Sequence, residues 1–154
     1  MSIVWEILRW LSVASLGIFA GAMLTEGGVL VPFWRGLAPE EFLRWYAANA
    51  QRLLAFFSPL TTAAGVLTLL ATIGSFMQGH PGRWWLGVAL VLMLGIIATF
   101  FVYFEAANTR FATAAIPPDA VPAELARWAA WHHARTVVSV VAFAAALLAV
   151  RRVH

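Results

Sequence analysis

Four long apolar runs dominate this chain and leave it little freedom in what it can fold into. They cover residues 10–34, 53–77, 84–107 and about 129–150. A hydrocarbon core about 30 Å thick is crossed by roughly 20 helical residues, so each run can span it. In lipid every backbone polar group must be satisfied within the segment, which selects helices. Hydrophobic residues fill 62% of the 154 positions and charged residues only 11%, against about 45–50% and about 25% in a soluble domain. A water-soluble globule of this length could not hide that surface. The expected fold is an all-α membrane protein, a four-transmembrane-helix antiparallel bundle forming one domain, with both termini on one side.

The links between the runs differ in character. Ala38-Pro39-Glu40-Glu41 reads as a helix start, with proline in the first turn and acids at the positive end of the dipole. Phe42, Trp45, Tyr46 and Asn49 then alternate with Arg44 and Arg52, which predicts a short interfacial helix between spans one and two. Gly79-His80-Pro81-Gly82 is a tight turn that makes His80 a solvated turn residue. Ile116-Pro117-Pro118-Asp119 begins a rigid loop, and Glu124 opens the fourth helix. A cleavable signal peptide is not expected, because the first run is too long and carries Glu26.

The net charge is +3, carried by ten arginines and no lysine. They are scattered singly, so no basic stripe for nucleic acid exists. Absent cysteine removes thiolate metal sites and thiol nucleophiles. Arg9, Arg83, Arg151 and Arg152 lie on the termini side. Arg35, Arg44, Arg52, Arg110, Arg127 and Arg135 lie on the other. Setting aside Arg52, Arg110 and Arg135 as span-end groups favours cytoplasmic termini in a multi-pass cell-membrane protein. His154 is terminal and uninformative.

Depth is the most informative quantity. At about 1.5 Å per residue from the termini side, Glu26 lies about 24 Å up its span, Glu105 about 31 Å, His133 about 26 Å and Arg135 about 22 Å. Asn108 lies roughly one turn beyond Glu105. Ionisable groups inside spans each cost about 2.5–3.5 kcal/mol on insertion scales, so groups at one level should meet one another. The expectation is a buried polar site of Glu26, Glu105, Asn108, His132, His133 and Arg135. The plainer reading is an interhelical salt-bridge knot without chemistry. At 100° per residue Trp128, Trp131, His132, Arg135 and Ser139 form one stripe, with His133 about 100° away. Phe101, Glu105 and Asn108 share a face of the third span. Trp128 and Trp131 also fit the aromatic belt of the interface. Gly17 and Gly21 form a GxxxG ridge, suited to bundle packing or to a homo-oligomer contact.

Adjacent His132 and His133 cannot both bind one metal on an undistorted helix. A set of Glu26, Glu105 and one of these histidines could hold a divalent metal such as iron, manganese, copper or zinc. Arg135 and the histidines can neutralise the two carboxylates without one, so no tightly bound metal is expected.

Trp128-Ala-Ala-Trp131-His132-His133-Ala-Arg135-Thr136 resembles the Trp-x-x-Trp-Asn-His-x-Arg-Thr motif of the anthrone oxygenase-like family, small four-helix membrane proteins. The Gly-rich first span, the stretch from Asn49 to Pro59, and Glu105 through Asn108 to Phe111 are similar to further family features. His132 stands where the family usually has Asn, Glu105 near its Pro, and Glu26 where an apolar residue is usual. The resemblance implies an oxygenase acting on a lipophilic aromatic or polyketide-like substrate, as family members oxidise an anthrone to an anthraquinone with molecular oxygen. It carries over Asn49, Asn108, Arg110, Trp128, Trp131, His133, Arg135 and Thr136. His133 or His132 would then be the base, with Arg135 and Asn108 holding the oxyanion. Glu105 would orient the histidine. Trp128 and Trp131 would stack the substrate ring, with Asn49 and Phe101 among its contacts. Such chemistry needs no cofactor in principle. The alternatives are a non-catalytic membrane subunit or lipophile-binding module, and a metal-dependent enzyme using the Glu26 and Glu105 set.

Overall fold

The structure, a computed structural model, describes residues 3–151; Arg152 and His154, considered above, lie outside that range. Four helical rods, Ile3–Gly36, Pro39–Met77, Arg83–Ala112 and Pro118–Val150, are each long and apolar enough to cross a membrane. The chain is a four-helix membrane bundle, and no strand occurs among the described residues. The rods are α1 (Ile3–Thr25) with α2 (Val31–Gly36), α3 (Pro39–Met77), α4 (Arg83–Thr99) with α5 (Glu105–Ala112), and α6 (Val121–Val150).

The helices outrun the apolar runs. The expected interfacial helix is not a separate element, because α3 is one unbroken helix of 39 residues. No Gly or Pro stands between Phe42 and Arg52, so the passage from polar to apolar sequence changes the solvent and not the backbone. Pro39 occupies the first turn, and the Ala38 amide donates to the Glu41 carboxylate at 3.3 Å. Two stretches of wider π-helix, Glu26–Leu30 and Phe100–Phe104, interrupt the first and third rods. In the first, Pro32 has no N–H for the carbonyl one turn back, and Gly27-Gly28 tolerates the wider turn.

Each rod packs on two neighbours: α1 on α3 and α6, and α4 on α6 and α3, with the α3–α4 side the least closely packed. The core has two parts. In the half nearer the termini, Leu16 and Met23 meet Leu86 and Met93 across an alanine face of α6, including Ala142 and Ala146. In the loop half, large rings replace the alanines: Trp34, Phe42, Tyr46, Phe104, Phe111 and Trp128. Buried hydroxyls bind the spans together, Ser12 Oγ to Thr68 Oγ1 at 2.9 Å and Thr72 Oγ1 donating to the Leu86 carbonyl at 3.2 Å.

Gly17 and Gly21 do not form one outward ridge. The Phe143 ring of α6 covers Gly17, so a Cβ there would lie 3.0 Å from it, while Gly21 faces open space. Gly82 is a closer approach still, because a Cβ would strike the backbone carbonyl of Ala149. Gly82→Ala is expected to cost about 1–3 kcal/mol through overpacking, and Gly21→Ala to be neutral. Thermal unfolding in detergent checks the pair; equal melting temperatures would contradict the packing.

Candidate functional site

A cavity of about 730 Å³ lies among the four rods, with walls from α1, α3, α4, α5 and α6. Leu54, Val66, Leu69, Leu94 and Phe101 line it and are also exposed on the outer surface. The cavity therefore opens sideways between the second and third spans, where a membrane would lie. Its inner polar wall is supplied by Glu26, Tyr46, Asn108 and Arg135.

Glu26 begins the π-helical stretch of the first rod and is 5% exposed. Its Oε2 lies 3.5 Å from Arg135 Nη2 and 3.4 Å from His132 Nδ1. The His132 tautomer follows from its partners. Nε2 is 2.9 Å from the Met23 carbonyl, which can only accept, so Nε2 carries the hydrogen. Nδ1 then accepts from Arg135 Nη2 at 3.1 Å. One guanidinium nitrogen thus serves both the carboxylate and the imidazole. Trp128 lies flat on His132 (centroids 5.1 Å, planes 10° apart) and donates from Nε1 to Asn108 Oδ1 at 2.9 Å. That leaves the Asn108 side-chain amino group for a ligand. The Arg135 guanidinium sits over the Phe104 ring at 4.1 Å, an additional hold on the cation. Gly27 makes room for the imidazole, since a Cβ would lie 3.2 Å from Nε2.

The structure sorts the candidates from the sequence. Glu26, Asn108 and Arg135 line the cavity, with Trp128 in the same wall and His132 buried behind Glu26. His133 is exposed and is not on the cavity wall. Glu105 is exposed at the cavity edge, and its carboxylate has no hydrogen bond or ion pair among the described residues. The carboxylate beside the imidazole is Glu26, not Glu105. Trp131 is stacked on Tyr103 at the surface (5.3 Å, 12°). Asn49 donates to the Trp45 carbonyl of its own helix at 2.8 Å, and Phe101 is 68% exposed at the cavity mouth. Among the described residues no three of His, Cys, Asp and Glu converge as metal ligands. The set of Glu26, Glu105, His132 and His133 is not assembled, because His133 faces away and Glu105, at the cavity edge, pairs with neither Glu26 nor His132.

A second polar node escaped the sequence reading. Glu124, 8% exposed, accepts from the Tyr103 hydroxyl at 2.9 Å and Arg110 Nη2 at 2.8 Å, with Arg127 Nη1 at 3.6 Å. The signal was present: Glu124, Trp128, His132 and Thr136 recur every four residues, and all four are buried.

His132→Leu would strand the Met23 carbonyl and one Arg135 hydrogen, costing about 1–3 kcal/mol. His133→Leu should leave stability unchanged. Thermal melts of the two variants check this, and a larger loss for His133→Leu would contradict the facing seen here.

The model of the family described as anthrone oxygenase matches residues 42–145. Comparison with curated proteins finds no match, and comparison with solved structures finds none. The matched region holds Tyr46, Asn108, Trp128, His132 and Arg135, while Glu26 lies before it. With more than half its length matched, the chain belongs to the anthrone oxygenase family.

Proposed function

We propose that the protein is a membrane oxygenase. It takes a lipophilic hydroxyaromatic or polyketide-like substrate from the bilayer and oxidises a ring CH2 to a carbonyl with molecular oxygen. The observation that carries this reading is the Glu26–Arg135 pair on the wall of a largely apolar, membrane-facing cavity. Apolar walls suit the rings, and a base beside a cation suits the reaction.

Glu26 takes a proton from the ring CH2, leaving an electron pair spread onto the ring oxygen, which the Asn108 amino group holds. This anion passes one electron to dioxygen. Superoxide and the substrate radical then join, forming a C–O bond. Arg135, beside the reacting carbon, stabilises the charge on reduced oxygen. The peroxide recovers the proton from Glu26. Glu26 then removes the second hydrogen as the O–O bond breaks, giving the carbonyl, and returns that proton to the departing hydroxide. One dioxygen and one CH2 become one carbonyl and one water. His132 is a positioning residue that holds Glu26 and Arg135 in register.

The test is oxygen uptake by protein in lipid nanodiscs supplied with anthrone. One dioxygen should disappear per anthraquinone formed, at a rate unaffected by chelator. Saturable binding without uptake would overturn the reading in favour of a lipophile-binding module. A chelator-sensitive rate would move it to metal chemistry.

A further inference from the structure

The cavity is long, and its polarity is divided along its length. Ser12 bonded to Thr68 sets those positions at one height. Glu26 stands fourteen residues above Ser12, about 21 Å at 1.5 Å per residue. Val66, Leu69, Leu90 and Leu94 line the low end, Ser58, Thr61 and Thr62 the middle, and Glu26, Asn108 and Arg135 the upper part. The Thr61 hydroxyl is taken up by the Phe57 carbonyl of its own helix. The uncharged length beneath Glu26 exceeds one leaflet's share of a hydrocarbon core about 30 Å thick. A bare three-ring aromatic would fill the upper part and leave the low end to lipid.

We infer that the site is built for an amphiphile, a phenolic or enolic ring carrying one long alkyl or isoprenoid chain. The ring lies at Glu26 and Arg135, and the chain runs down the groove toward Leu69 and Leu90. This rests on the oxygenase reading and narrows its substrate class. Charge complementarity selects the occupant. Glu26 and Arg135 together present a neutral pair, whereas a phospholipid phosphate would meet the Glu26 carboxylate. Tyr46, Phe100 and Trp128 on the walls suit an aromatic ring. The groove opens to the membrane along the chain's path, so the chain need not leave a lipid-like environment while the ring docks.

Photolabelling in nanodiscs tests this with a hydroxyanthracene bearing a hexadecyl chain, its diazirine either at the chain end or on the ring. The chain-end probe should label peptides containing Val66–Leu69 and Leu90–Leu94, and the ring probe those containing Tyr46 and Asn108. Leu69→Trp with Leu94→Trp alters two surface-exposed positions, so folding is not at stake. This double variant should cut chain-end labelling at least ten-fold and leave binding of unsubstituted hydroxyanthracene unchanged. Chain-end label spread over outward residues such as Ile18, Val91 and Val102 would overturn the proposal. So would equal labelling of the groove by a diazirine phosphatidylcholine, which would make bulk lipid the occupant. Labelling needs no turnover. Correct labelling without oxygen uptake sinks the oxygenase reading alone, and scattered labelling with normal uptake sinks this proposal alone.

Discussion

Glu26→Gln is expected to turn over anthrone about 10²–10⁴-fold more slowly than the wild type, the range a positioned general base contributes. Glutamine keeps the volume of the side chain and an oxygen for Arg135, which also keeps His132 Nδ1 and the Phe104 ring, so the variant should lose less stability than Arg135→Gln and stay folded. The loss would then belong to proton removal and not to folding. The measurement is oxygen uptake in nanodiscs beside a thermal melt of the same preparation. Near wild-type turnover would move the base to Glu105 at the cavity edge or to His132 behind Glu26.

Arg135→Gln is expected to damage both stability and turnover. It leaves Glu26, 5% exposed, without its cation, and breaking a buried pair by removing one partner costs about 3–5 kcal/mol. It also removes the cation placed to hold reduced oxygen. The double variant, Glu26→Gln with Arg135→Gln, removes both charges and should recover much of the lost stability while staying inactive. The two sites touch, so this non-additivity is the signature of direct pairing. A double variant as unstable as the sum of the singles would show that the two residues act independently.

The spans were legible because lipid demands long apolar helices, and so were the ends set by turns, such as Met77 and Arg83. Where the expected boundary falls at a charge, as at Arg9 and Arg52, the helix continues past it. Depth was legible for the same reason, since rise per residue is constant: Glu26, His132 and Arg135 do share a level and meet. Azimuth was legible in part. Along α6 the 100° count separates His132 from His133, and the structure turns His132 in and His133 out. In the third span Phe101, Glu105 and Asn108 line one cavity, as their shared face predicts, across the π-helical stretch Phe100–Phe104. Glu105 nonetheless stands exposed at the cavity edge, and its expected place beside the histidine is held by Glu26. Trp131, on the inward stripe by angle, is drawn to the surface by stacking on Tyr103.

The most direct test of the central claim, that Glu26 deprotonates the substrate and the anion itself reduces oxygen, is anaerobic mixing of the protein with anthrone in nanodiscs, followed by absorbance. The anthrone anion should appear without oxygen, up to one per wild-type site, be absent in Glu26→Gln, and be consumed when oxygen is admitted. An anion that forms equally in Glu26→Gln, or oxidation that proceeds without any anion forming first, would contradict it.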